Sequence, residues 1–346
     1  MRRFRFSGSF PAGALIAGAA SVALAMGPRA ALAQSNGPVR AAGAMADLAA
    51  SSSECCLMLL YPIGARRASL SEAVTSIPSA DAVFYNPAGL AEIPANHFVL
   101  HHVESMTQAV DAFTLLFTPG DIATFGLSYE LVDFGDQETG GGPVPTGRLT
   151  YREHIVVASF ATTLVPQVAV GLNYKYFASR LNCAGQCEGI PPQNAATHGL
   201  DFGVQYRPAW LAAARVGATL LNVGFPLQVI NSQQADPMPT RLRVGVSYDL
   251  MDHIDAEAPY ELWLMLDAEE EDWQDPSTPT ASVAVEFAVG EVIFLRGGYG
   301  GGEGIASGPA VGVGLIYSNF NISVAKRVGG GGLDDDPFQL SLDVGF

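Results

Sequence analysis

The sequence predicts an all-β protein, a transmembrane antiparallel β-barrel of about fourteen strands with an N-terminal plug or hatch segment. Three observations lead there. Apolar residues recur on alternate positions in many short segments. After the N-terminal leader no apolar run reaches the roughly 18 residues that a membrane helix needs. Tight turns alternate with long Gly-, Pro- and acid-rich loops, as in outer-membrane barrels.

The leader comes first. Arg2, Arg3 and Arg5 precede the apolar stretch GALIAGAASVALA, and Ala31 and Ala33 stand before Gln34. This is the pattern of a secretory signal peptide over residues 1–33. No Cys follows the expected cut, so no lipoprotein signal is read. Of 18 Lys+Arg and 34 Asp+Glu, four Arg and no acid lie in this leader. The remaining chain therefore carries 14 basic against 34 acidic side chains, a net charge of −20. Nucleic acid is excluded as a partner, because phosphate binding needs a basic patch. A mean hydropathy of +0.23 with only 15% charged residues is apolar for so acidic a chain. Without a spanning helix, that apolarity has to be spread over strands.

The strands read in steps of two. FQLSLDVGF sets Phe338, Leu340, Leu342, Val344 and Phe346 against Gln339, Ser341, Asp343 and Gly345. VAVGLNYKY, LRVGVSYDL, YELWLMLD and VGVGLIY repeat the pattern. Successive side chains of a strand point to opposite faces. In a soluble sandwich the second face would be charged. Here it is mostly Gly, Ala, Ser and Asn, which suits a crowded polar lumen, and several apolar faces end in Tyr like an interfacial girdle. Turns at Pro119-Gly120, Pro166-Gln167, Gly290-Glu291 and Ser318-Asn319 are tight. Long loops are expected over 134–148, 180–197, 225–240, 269–279, 300–308 and 328–337. Counting back from Phe346 places the first strand at His97, so residues 97–346 form the barrel and both of its chain ends lie on the short-turn side. A fourteen-stranded barrel is wider than its own side chains fill. Residues 34–96, with a short helix expected over 67–77, are read as the segment inside.

The stretch GARRASLSEAVTSIPSADAVFYNPAGLAEI resembles the N-terminal signature of the PorV/PorQ-like outer-membrane family, itself related to FadL-type barrels. Gly64-Ala65-Arg66 matches the start of that signature, Asp81 its acidic position, and Tyr85-Asn86-Pro87-Ala88-Gly89-Leu90 its end. LLNVGFPL and DPMPTRLRVGVSY resemble a second family stretch. The segment SLSEAVTSIPSA departs from the family's Gly- and Ala-rich pattern. The resemblance implies a fourteen-stranded barrel with a plug in the bacterial outer membrane. It also implies a role as an accessory or cargo-binding component of type IX-like protein secretion, docking secreted cargo and a translocon at the extracellular loops. The alternatives are a FadL-like channel for hydrophobic small molecules and a structural outer-membrane protein. Outer-membrane lipid and the barrel-assembly machinery are the other expected partners. Phe346, with Phe338 at the start of the closing strand, resembles the C-terminal signal read by that machinery.

The remaining motifs are weighed on their chemistry. Asn86 caps a turn, Pro87 fixes φ, and Gly89 permits a tight reversal. Arg66 and Arg67 are expected to pair with lumen carboxylates among Glu130, Asp249, Glu261 and Glu286. In an oxidising compartment Cys183 and Cys187 are expected to close a small loop by a disulfide, and the partners of Cys55 and Cys56 stay open. His97 and His101 share a strand face but lack a third ligand, so they are read as rim histidines and no metal site is expected. The acidic runs EEEDWQD and DDD read as solvated loop charge, and such carboxylates also suit Ca²⁺. GGYGGGEG and GGGG read as flexible loops. No GxSxG, HExxH or phosphate loop occurs, so neither an enzyme nor a cofactor is expected.

Overall fold

Period-two alternation becomes a closed cylinder. The computed structural model describes residues 54–105, 107–120, 122–140, 145–187, 191–229, 235–255, 257–270, 279–301, 307–328 and 337–346. The signal segment 1–33, the first part of the plug (34–53) and the Asp334–Asp336 run lie outside them.

The barrel strands are β1 (His97–Glu104), β2 (Ala109–Phe117), β3 (Thr124–Thr139), β4 (Gly147–Val165), β5 (Val168–Gly185), β6 (Gln193–Tyr206) and β7 (Ala214–Gly224). After a small hairpin, β8 (Leu227–Gln228) with β9 (Ala235–Asp236), come β10 (Arg241–Asp249), β11 (Tyr260–Glu270), β12 (Thr280–Val289) and β13 (Ile293–Gly300). Strands β14 (Gly308–Tyr317), β15 (Phe320–Arg327) and β16 (Phe338–Gly345) complete the wall. Fourteen of the described strands form one antiparallel barrel, closed by β1 against β16 with His97 opposite Gly345 and His101 opposite Ser341. Closure satisfies every ladder without leaving an edge, which is what lets strands cross a bilayer. The Phe346 amide adds a last bond to the Asn96 carbonyl at 2.9 Å.

The outward faces are apolar as the pattern predicts. Leu172, Tyr174, Val244, Leu264, Val313 and Leu340 are exposed, while the intervening Asn173, Arg243, Met265 and Gln339 are buried in the lumen. Tyr206, Tyr260, Tyr317 and Phe117 stand outward at the short-turn ends of their strands.

Several expectations need correction. The helix expected over 67–77 is one turn, Ala65–Ser69. It stops because Ser71 and Glu72 both take the left-handed conformation, at φ 45° and 68°. Much of 134–148 and 180–197 is strand rather than loop. Strands β3 to β5 run 16, 19 and 18 residues, against about 9–11 needed to cross the bilayer, so they rise well past it on the long-loop side. Gly297 to Gly300 belong to β13. Glu269 and Glu270 end β11 inside the wall, and the rest of that acidic run lies outside the described residues. The lumen is not uniformly polar, because Val99, Val103, Val110, Val132, Ile155 and Phe177 form an apolar patch on the inner face of β1 to β5 beside the buried Glu130, Glu153 and Lys175.

Residues 54–96 sit within the barrel and carry little regular structure. Their backbone polar groups are taken by wall side chains instead, as burial demands. Gln339 donates to the Pro62 carbonyl, Ser341 accepts from Ala65 N, and Asp267 accepts from Val74 N and Thr75 N. Gln205 donates to the Thr75 and Ile77 carbonyls, and Asn173 to that of Val83.

Candidate functional site: the plugged lumen

The plug is held by three polar clusters and by a closely packed turn. The first gathers residues from the family-like motif. Gly64, at φ 104°, turns the chain so that the helix Ala65–Ser69 opens beneath Ser341. A Cβ on Gly64 would lie 3.0 Å from the Asp81 carboxylate, so the turn needs glycine twice over. Arg66 spans to Glu286 on β12 with Nε at 3.0 Å and an Nη at 2.7 Å. Glu286 also accepts from Arg296 on β13 at 2.5 Å. Asp81 faces His101 on β1 at 3.4 Å, and His101 contacts Ser341 at 2.8 Å. Between these groups lies a small cavity of about 120 Å³.

Burial opposes the charge on Arg66, yet the adjacent Glu286 prevails and holds the guanidinium above its usual range. Burial likewise works against the Asp81 carboxylate, and His101 and Arg66 outweigh it, keeping the group below the usual carboxylate range. The Tyr85 phenol is pushed up by burial.

The second cluster sits on β10 and β11. Glu72, turned toward the wall by the paired left-handed residues, meets Arg243 and, at 3.3 Å, Arg67. Arg243 also pairs with Glu269. Arg241 forks onto Glu54 at 3.0 and 2.8 Å. The third cluster lies on β5 and β6, where alternation turns Asp201 inward to Lys175 at 2.9 Å and Asn173 at 2.8 Å, and a bulge in β7 brings Asn222 N to Asp201 at 2.8 Å.

The YNPAG turn seats against β4 to β6. Asn86 accepts from Ala88 N at 3.2 Å and donates to the Thr75 carbonyl at 2.7 Å. Pro87 starts a short 3-10 turn through Glu92. Gly89 serves close packing rather than reversal, since its Cβ would lie 2.9 Å from that of Ala82 and 3.2 Å from Gln205. Wall glycines answer from the other side. A Cβ at Gly171 or Gly203 would strike the Asn86–Ala88 backbone region, and one at Gly298 the Leu70 backbone.

The motif residues thus converge on the plug and its seat. Phe338 and Phe346 do not join them and stand outward on the closing seam. Cys183 and Cys187 are joined at the far end of β5, and Cys55 is joined to Cys56. Of the four carboxylates expected near Arg66 and Arg67, only Glu286 pairs with either. Glu261 instead accepts from Trp263, and Asp249 from Met251 N. His101 is a buried plug contact and not a rim residue, because alternation turns it inward beside Asp81. His97 also faces inward, bonded to Asp343 at 2.7 Å. Among the described residues no group of three or more metal-ligating side chains comes together.

Sequence reasoning missed Glu72, Arg241, Arg243 and Asp267. Alternation alone places the last three on the inner face, and that signal marks them as plug contacts once a plug is assumed.

No protein-family model matches the chain, and no curated protein does. Solved structures share its fold. The toluene transporter TbuX of Ralstonia pickettii aligns with a TM-score of 0.56 at 13% identity over 82% of this chain and 98% of that one. The CymD monoaromatic hydrocarbon channel gives 0.56 at 12% identity over 83% and 98%. The toluene transporter TodX of Pseudomonas putida gives 0.52 at 12% identity over 82% and 96%. The chain is a closed fourteen-stranded β-barrel with an apolar outer wall, and its fold is shared with these solved hydrocarbon channels.

Proposed function

We propose that the chain passes hydrophobic small molecules across the outer membrane, with residues 54–96 acting as the hatch on their route. The observation that carries this reading is an apolar patch on the inner face of β1 to β5. Val103, Val110, Val132, Ile155 and Phe177 line it and pack with Phe84 and Leu59 of the plug. A water-filled pore has no use for such a surface, whereas an apolar solute gains by leaving water for it. The hydrocarbon channels that share the fold support the same direction. The test is uptake of radiolabelled toluene by a porin-deficient host expressing the chain. Uptake above the empty-vector host is expected, and it should rise when residues 57–92 are deleted. Equal uptake with and without the chain removes the reading.

A second reading, docking of secreted cargo as in PorV-type barrels, is favoured by one feature. Strands β3 to β5 project past the bilayer as a rigid wall that a partner would meet. Recovery of a translocon or of cargo with a sorting domain from native membranes would support it. The three hydrocarbon channels weigh the other way.

A further inference from the structure

The outward face of β4 to β6 carries a second candidate site, unrelated to the lumen. Here the wall passes from apolar to polar. On β5 the outward residues run Leu172, Tyr174, Tyr176, Ala178, Arg180, Asn182 toward the long-loop side. Arg180 stands directly opposite Arg152 of β4 in the ladder, and like charges so placed repel. Arg152 donates to Asp133 at 2.8 Å yet stays 48% exposed. Arg180 has no carboxylate or hydrogen-bond partner among the described residues. Beside it opens a groove of about 460 Å³ between β5 and β6. Tyr176, Ala178 and Ala196 give it an apolar side, and Ser179, Arg180, Asn182 and Asn194 a polar one. On a chain with a formal charge of −16, Arg180 on the rim of this groove, with Arg152 beside it on the neighbouring strand, calls for an anion.

We propose that this groove binds the phosphorylated headgroup of an outer-leaflet glycolipid. The geometry fits the amphiphile in both halves. Arg152 and Arg180 offer planar forks to phosphate oxygens, and Asn182 and Asn194 offer amides to sugar hydroxyls. Tyr176 and the two alanines receive the first segment of an acyl chain at the level where the lipid itself turns from polar to apolar. The groove opens outward on the long-loop side, which in this barrel class faces the outer leaflet. A bound phosphate would also relieve the repulsion between the two guanidinium groups.

The test is native mass spectrometry of the full chain in detergent, titrated with bisphosphorylated lipid A. Retained lipid adducts are expected. The double variant Arg152→Ala with Arg180→Ala should bind about tenfold more weakly, as loss of charge-assisted contacts implies. Fully dephosphorylated lipid A should bind the unaltered protein similarly weakly. Ala196→Phe, which fills the apolar side and leaves both arginines in place, should also lose the adduct, and it keeps the test decisive if the double variant fails to fold. Equal binding by folded variant and unaltered protein overturns the proposal, as does equal binding of the dephosphorylated lipid. Displacement by inorganic phosphate at about millimolar concentration overturns it as well, since the groove would then be a simple anion site.

Discussion

Glu286 holds two guanidinium groups at once, Arg66 from the plug and Arg296 from the wall, with its own side chain only 3% exposed. Glu286→Gln would leave both cations without their shared counter-charge. Removing one partner from a buried ion cluster costs about 3–5 kcal/mol, so the variant should lower the urea midpoint of the heat-modifiable folded form. Replacing Arg66 and Glu286 together should cost less than the sum of the single changes, because the two are coupled. Glu72 is a pH-sensitive member of the plug. Burial raises its pKa, but Arg243 and Arg67 prevail and hold it down to about 2, against an ordinary value of 4.5. A depressed carboxylate contributes stability that is complete above its unfolded pKa and vanishes as pH falls through the folded one. Protonation of Glu72 should therefore make channel openings in planar bilayers more frequent as pH falls from about 4.5 to 2. Glu72→Gln should open at neutral pH and weaken that response.

At the scale of elements, the plug and the wall fit through absent side chains. Gly171 on β5 faces the Pro87 backbone with no room for a Cβ. Gly171→Val should unseat the YNPAG turn while leaving the ladders intact. The expected result is normal heat-modifiable migration with new protease cleavage within residues 80–92. A protected plug in the folded variant would show that the wall yields instead. The seam between β1 and β16 is the other critical element. Phe346 donates its amide to Asn96 and leaves its ring 64% exposed toward lipid. Deleting Phe346 should reduce the assembled fraction several-fold, and unaltered migration on gels would count against the residue as an assembly signal.

For the whole molecule, lipid is the solvent of the outward faces. Leu172 is 40% exposed on the outer wall. Leu172→Arg should destabilise the barrel by about 2–4 kcal/mol if its position is near the midplane. Asn173 next to it bonds inward to Val83 and Asp201. A change there should loosen the plug and spare membrane insertion, so the two neighbours separate the two environments in one assay of folding and uptake. Much of this was legible beforehand. The alternation in β5, β10, β11, β14 and β16 marks which side chains face lipid, because period two is a local property of an extended backbone. The plug's contacts were less legible. Glu72 and Arg243 meet across 171 positions, and no local rule pairs them. Alternation shows that Arg243 faces inward but not what stands opposite.

The sequence by itself determined the wall: its strands, their two faces, and an acidic chain with no helix to span a membrane. Short-range sterics and the hydrophobic period are enough for that. Only the tertiary structure decided that the glycines of β5, β6 and β13 are seats for plug backbone, that His101 is buried beside Asp81, and that Arg152 stands opposite Arg180. Each of these is a meeting of segments distant in the chain. Such meetings are fixed by barrel closure and register, which a single strand does not encode.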